Sequence, residues 1–215
     1  MEQWDIVVAG AGHNSLVCAA YLARAGLKVL VLERSESIGG DTSTAELTLP
    51  GFRHDACASA HVLIQTSPIL RENELQLDRY GLQYLFPDPV VVMPFRDGRS
   101  LTMFKDRRAT VREIARFSEH DARAYEQMLD DWDAIKGPLN RGRYSPPGSP
   151  SGSLAALEAT PPGLEAVRWR LSSALETVEE RFEERHVRAF LLWMSLMTMA
   201  WVDEPGTGLL PLSIA

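Results

Sequence analysis

Ile6-Val7-Val8-Ala9-Gly10-Ala11-Gly12-His13-Asn14-Ser15, with the strand-like Lys28-Val29-Leu30-Val31-Leu32-Glu33 downstream, sets the architecture of the amino-terminal part. Trp4 to Ala9 is a short, β-branched run that stops at Gly10, as a strand buried in a parallel sheet does. His13 to Ala25 holds good helix formers with small side chains (Ala19, Ala20, Ala23), and Gly26 stands where a helix-ending glycine belongs. Lys28 to Glu33 is a second buried strand. Strand, helix and strand in so short a span predict a βαβ unit with a right-handed crossover.

That context turns the glycines into a dinucleotide fingerprint. Gly10 allows the tight turn, and Gly12 lets the backbone approach a pyrophosphate. The helix start, with His13 and Asn14, supplies N–H donors and a positive dipole end. Glu33, twenty-three residues after Gly10 at the end of the next strand, accepts from the ribose hydroxyls. Ser15 takes the place of the third glycine, so a slight shift of the helix on the strand is expected. A carboxylate at Glu33 disfavours a 2′-phosphate, although Arg34 follows directly. FAD and NAD share the same ADP half, so these residues leave both open, and a strand-to-helix turn without a ligand is the plain alternative.

Taken whole, the 215 residues carry 45% hydrophobic and 24% charged side chains, which excludes a disordered chain, a collagen-like fibre and a disulfide scaffold. The net charge of −7, with Lys and Arg scattered, argues against nucleic acid or an anionic membrane as the main partner. Cys18 and Cys57 form no CxxC pattern and read as reduced thiols of a cytoplasmic protein. No metal-ligand spacing is visible. Met1 to Asp5 lack the basic start of a signal peptide, and the apolar run Ala189–Val202 is too short to span a bilayer, so membrane contact is at most peripheral.

Beyond the βαβ unit the pattern becomes mixed. Residues 35–54 read as loop and hairpin around Gly39-Gly40 and Pro50-Gly51; Pro68 to Tyr80 reads as a helix capped by Ser67. Tyr84 to Met103 reads as strands broken by prolines and the Asp97-Gly98 turn. A helix is expected from Thr110, as N-cap, to about Lys136. Residues 137–163 hold six prolines and five glycines and read as a flexible loop. Leu164 to Val202 is helical again. The expected division is 1–68 for the ADP-binding part and 69–215 for the start of a substrate or cap domain.

Gly10-Ala11-Gly12-His13-Asn14, the Ala-Tyr-Leu-Ala-Arg-Ala-Gly-Leu-Lys-Val-Leu-Val-Leu-Glu stretch, Gly39-Gly40 and Gly51-Phe52-Arg53-His54-Asp55 together resemble the amino-terminal part of phytoene-desaturase-like flavoproteins of the FAD-dependent amine oxidase superfamily. The likeness is specific over residues 4–60. It implies FAD, with Gly39, Gly40, Asp41 and Thr42 passing close to the cofactor and Ala58 and Ser59 near the flavin ring. A glycine expected near Cys57 is missing. Such proteins are more than twice this long, and Pro205-Gly206-Thr207-Gly208-Leu209-Leu210 resembles a stretch in their middle. The expected architecture is therefore α/β: a Rossmann-like FAD-binding βαβ unit, a mixed, largely helical substrate or cap region, and a sheet completed by a second polypeptide that supplies the carboxy-terminal half.

The resemblance implies an oxidoreductase of desaturase, dehydrogenase or oxidase type, acting on C–C or C–N bonds of an apolar or amine-bearing small molecule. An NAD-dependent dehydrogenase and a non-catalytic FAD-binding scaffold are the alternatives. No acid–base residue stands out. His54, His61 and Cys57, near the expected flavin, read first as packing residues. Trp169, Trp193, Met194, Met197, Met199 and Trp201 read first as core, with an apolar substrate tunnel or a partner surface as the other reading. The charged run from Glu176 to Arg188 reads as a solvated helix face.

Overall fold

A computed structural model describes residues 3–214 except 142, 145 and 147. The chain divides between Gln83 and Tyr84 into two compact units.

In the first unit, β1 (Ile6–Ala9) and β2 (Val29–Leu32) pair in parallel, Ile6 opposite Val29 and Ala9 opposite Leu32, with α1 (His13–Arg24) between them. The βαβ reading holds to within two residues at every boundary. The hairpin of β3 (Thr44–Ala45) and β4 (His54–Asp55) follows as expected. Residues 68–80 differ from expectation: α2 covers only Pro68–Arg71, and Asn73 and Gln76 both take positive φ of 51°. Ser67 does not cap α2; its hydroxyl donates to the Ile64 carbonyl at 2.7 Å instead. The Tyr21 hydroxyl and the Arg24 guanidinium on α1 both bond to Glu74. These ties hold residues 72–76 on the Rossmann helix.

Burial in this unit is thin. Among its described residues only Ala11, Ala19 and Ser67 are buried, while Val7 is 57% and Leu32 53% exposed. Strands apolar on both faces normally lie between two layers of helix. Among the described residues of this unit, α1 is the helix that packs on them.

The second unit holds the core. β5 (Val91–Pro94) and β6 (Ser100–Met103) form an antiparallel hairpin around the expected Asp97-Gly98 turn, and every second residue of β6, Leu101 and Met103, points into the interior. They join a cluster with Ile114, Tyr125, Met128, Ile135, Trp169, Phe190 and Leu191.

Its helices depart from the sequence reading in four places. The expected helix from Thr110 is two, α3 (Arg107–Ala115) and α4 (Glu119–Arg141). Asp106 is the N-cap of α3, accepting from the Arg108 N–H, whereas Thr110 is buried inside the helix and accepts from the Phe104 N–H at 3.0 Å. The proline-rich span 137–163 is largely helical: α4 runs on to Arg141, and α5 (Pro150–Glu158) and α6 (Pro161–Leu171) each begin on proline. A first-turn N–H has no intrahelical acceptor, so its loss there costs nothing. Residues 142, 145 and 147 of the expected loop lie outside the described residues.

The expected helix from Leu164 to Val202 is three pieces: α6, α7 (Ala174–Arg181) and α8 (Arg185–Leu196). Ser173 and Glu176 form a reciprocal capping box on α7, and α9 (Leu210–Ile214) closes the described fold. The charged run is not simply a solvated face. Glu184 caps α8 by accepting from the His186 and Val187 N–H groups, and Arg181 bonds Asp131 at 2.9 Å while lying over the Trp169 ring. His186 is buried, with Nδ1 2.7 Å from Glu184 and Nε2 2.9 Å from Asp97. Its partners join the tip of the β5–β6 hairpin to the start of α8.

Asp121, fully buried in the first turn of α4, accepts from the Glu183 and Glu184 N–H groups at 3.0 and 2.9 Å and so fixes the α7–α8 corner. Asp121→Ala leaves both donors without their carboxylate, at a cost of about 2 kcal/mol. Urea unfolding should show that loss, with Asp121→Asn intermediate because it keeps one acceptor oxygen. Equal stability of the alanine variant and the wild type would refute this role.

No helix among the described residues is long and apolar enough to cross a membrane.

Candidate functional site

β1 ends at Gly10, whose N–H donates to the Leu32 carbonyl at 2.7 Å, so the last pairing of the sheet sets where the turn begins. Ala11 then points inward and is buried. Its N–H donates to Glu33 Oε2 at 2.7 Å, and its carbonyl accepts from the Gly39 N–H at 2.8 Å. The glycine turn is thus clipped from two sides. Gly39 and Gly40 have φ of 118° and 60°; a Cβ on Gly39 would stand 2.4 Å from the Thr42 carbonyl oxygen, and one on Gly40 3.1 Å from the Gly12 Cα. The two glycine segments touch backbone to backbone, which side chains would prevent.

Gly12 precedes α1 in extended conformation, and neither a side-chain cap nor an acidic residue occupies the first turn of that helix. The first-turn N–H groups therefore face outward beside the exposed His13 and Asn14, at the positive end of the helix dipole. A Cβ at Gly12 would meet nothing within 4 Å, so the space in front of the turn is open. Glu33 accepts from the Ala11 N–H at Oε2 and from the Ser35 N–H at Oε1, the latter at 2.9 Å. These donors, Ala11 first, hold its carboxyl at about 2. The Ser35 side chain also bonds to this carboxylate, which as an ionised group has about four acceptor sites, so a further hydroxyl can still donate to it.

The amide proton of Ala11 should report this directly. A depressed carboxyl pKa means that the anion and its clip persist below the ordinary value of 4.5 and are lost only as pH falls towards 2. The Ala11 amide shift should therefore stay constant from neutral pH down to about 4, where an ordinary carboxylate is mostly protonated. A transition centred near 4.5, the ordinary value, would show that Glu33 is not held in this way.

The β3–β4 hairpin brings Ala58 back to the second glycine segment. The Ala56 N–H donates to the Ser43 carbonyl at 2.9 Å, and the Ala58 N–H to the Asp41 carbonyl at 3.1 Å. Asp41, Thr42 and Ser59 are exposed along this path, and His61 Nε2 lies 3.1 Å from the Ala58 carbonyl. His54 pairs with Thr48 at 2.8 Å in the hairpin. Gly10 to Gly12, Gly39 to Thr42 and Ala58 are thus linked through backbone contacts, and Glu33 joins them through its carboxylate. Ser15 sits half-buried in α1, and Arg34 is exposed next to Glu33. Sequence reasoning missed the Ser35 and Ala11 amides as partners of Glu33. A backbone donor leaves no residue signature, so no pattern could have shown them. Cys18 and Cys57 are free and exposed, and no metal-binding cluster occurs among the described residues.

Residues 8–88 match the family of NAD(P)-binding Rossmann-like domains. One of the subunits of the limonene dehydrogenase of Castellaniella defragrans is 37% identical over 139 residues, 61% of this chain and 25% of that protein. Carotenoid 3,4-desaturase of Haloarcula japonica is 30% identical over 131 residues, 58% of this chain and 25% of that protein. In fold, a putrescine oxidase variant redesigned for cofactor binding matches with a TM-score of 0.56 and 18% identity, over 98% of this chain and 41% of that one. The amino-terminal part is therefore a Rossmann-like α/β unit, and the chain is similar in sequence to a dehydrogenase subunit and a carotenoid desaturase and in fold to a putrescine oxidase. The chain spans about a quarter of the length of these curated relatives.

Proposed function

We propose that this chain is the FAD-binding half of an oxidoreductase acting on a C–C or C–N bond of an apolar or amine-bearing small molecule, with a second polypeptide supplying the rest of the flavoprotein fold. The observation that carries the reading is the double clip on the glycine turn. Glu33 and Gly39 hold Ala11 from two sides, so the open space before Gly12 meets preset amide donors. The residues fit the ADP half of the cofactor. The uncapped α1 start with His13 and Asn14 would hold the pyrophosphate, the Glu33 carboxylate the ribose, and Gly39 to Thr42 with Ala58 and Ser59 the path towards the ring. Arg34 and Ser15 complete the proposed set. When bound, FAD supplies the capacity to accept a hydride from carbon. The chain's own part is to bind and orient the cofactor.

Limonene dehydrogenase and carotenoid 3,4-desaturase are named for apolar hydrocarbons and putrescine oxidase for an amine, which sets the proposed substrate classes. The second polypeptide is favoured by the thin burial of the β1–β2 layer, and the limonene dehydrogenase relative is itself named as a subunit. A second reading, an NAD-dependent dehydrogenase, is favoured by the description of the matching family and by the equal fit of Glu33 to either ADP ribose. Native mass spectrometry of protein purified gently from its own source separates them. Release of FAD from an assembly with a second polypeptide is expected; release of a nicotinamide dinucleotide would replace the flavin reading, and a bare chain of 23.9 kDa would end it.

A further inference from the structure

The apolar stripe read from the sequence splits in the structure. Trp169 and Met194 are buried in the second unit, whereas Trp193, Met197, Met199 and Trp201 are exposed, together with Leu196. Trp193, Leu196 and Met197 stand at i, i+3 and i+4, on one face of α8, while Val187, Phe190, Leu191 and Met194 fill its inner face. The end of α8 is thus apolar on both sides, a pattern that belongs to a covered helix.

The segment beyond it is held in a definite shape. The Met199 N–H donates to the Leu196 carbonyl at 2.9 Å, and the Val202 carbonyl accepts from the Leu175 N–H at 2.8 Å. Between these ties Met199 has φ of 67°, a conformation a β-substituted residue seldom takes, and is 93% exposed; Trp201 is 67% exposed. Two tryptophans and two methionines presented on a fixed backbone have the composition of an interface centre. Asp203 and Glu204, both exposed, border them.

We propose that the end of α8 and residues 197–204 form a docking surface for the polypeptide carrying the part of the fold that these 215 residues do not contain. It meets that surface with apolar side chains inside a basic border. This rests on the second-polypeptide reading above and assigns the surface. Two observations select the occupant. The solved putrescine oxidase matches nearly all of this chain with 41% of its own length, so most of that fold has no counterpart in these residues. Within Ala189–Glu204 the only charged residues are Asp203 and Glu204, and no Lys or Arg occurs. An anionic lipid surface is repelled by such a border, and a basic protein rim is attracted. A small apolar ligand is held in a concavity, whereas these side chains stand on a helix end and the turn after it.

Hydroxyl-radical footprinting of the assembly purified from its own source, against the isolated 215-residue chain, tests this. Met197, Met199 and Trp201 should oxidise at least fivefold more slowly in the assembly, while the buried Met128 stays slow in both. Met199→Asp, which suits positive φ, and Trp201→Ser should each weaken capture of that second polypeptide at least tenfold with unchanged circular dichroism. An assembly with a second polypeptide but without protection at these residues overturns the surface and leaves the reading standing. Purification of the chain alone, or only with copies of itself, overturns both. Binding of the isolated chain to phosphatidylcholine vesicles, with a blue shift of its tryptophan emission that Trp201→Ser abolishes, overturns the surface in favour of a membrane.

Discussion

Gly12→Val is expected to abolish the proposed FAD binding and leave the apo fold intact. The two halves of that result have separate causes. Gly12 has φ of −69° and ψ of 161°, which valine adopts readily, and a Cβ there would touch nothing within 4 Å. Folding therefore does not require a glycine at this position. A pyrophosphate approaching the α1 start must pass through that same open space, and a branched side chain fills it. Affinity for FAD should fall at least 100-fold, equivalent to about 2.7 kcal/mol, by fluorescence titration of the full assembly, with circular dichroism of the apo chain unchanged. The contrast is Gly40→Ala, where φ of 60° and the 3.1 Å approach to the Gly12 Cα disturb the turn itself. If Gly12→Val binds FAD as tightly as the wild type, the cofactor does not lie on this turn.

Gly208→Ala should have a large effect on stability. The Gly206 and Gly208 N–H groups donate to the Ser172 carbonyl at 2.9 and 3.0 Å, and Thr207 Oγ1 accepts from the Ala174 N–H at 2.9 Å. This loop therefore seals the corner between α6 and α7. A Cβ on Gly208 would stand 2.3 Å from the Trp169 carbonyl oxygen, 2.8 Å from Thr177 Oγ1 and 3.1 Å from the Ser172 carbonyl oxygen. Two of these are backbone atoms, one on a buried helix, so relief requires moving α6 or giving up the loop's bonds. A loss of about 3 kcal/mol is expected, seen as a melting temperature lower by roughly 10 °C. A shift of less than a degree or two would mean that the corner relaxes freely. The Pro205-Gly206-Thr207-Gly208 stretch thus has a structural reason for its glycines, whatever else it shares with longer flavoproteins.

The elements that were legible from sequence are those whose signals are local. Gly10, Gly12, Gly26 and Glu33 punctuate the βαβ unit within a single stretch, and Asp97-Gly98 marks its hairpin alone. The helical region was harder because its boundaries depend on distant partners. Thr110 has the chemistry of an N-cap, but Phe104 engages its hydroxyl inside the helix while Asp106 caps it. The break at 182–184 is stabilised by Asp121, some sixty residues away. Proline misled in the span 137–163, since Pro150 and Pro161 open helices rather than interrupt them.

The class of the amino-terminal unit, and the residues that could grip an ADP group, were readable in the chain alone, because a glycine turn between strand and helix encodes both within about thirty neighbouring residues. How the glycine turn is braced came only with three-dimensional packing. Glu33 clips the Ala11 amide, Gly39 and Gly40 close on Gly12, and Ala58 returns to Asp41. The same packing sorts the apolar residues into core and open surface. Trp169 and Trp201 are alike to any reading of composition, and what separates them is the arrangement of helices far apart in the chain, which buries one and leaves the other facing solvent.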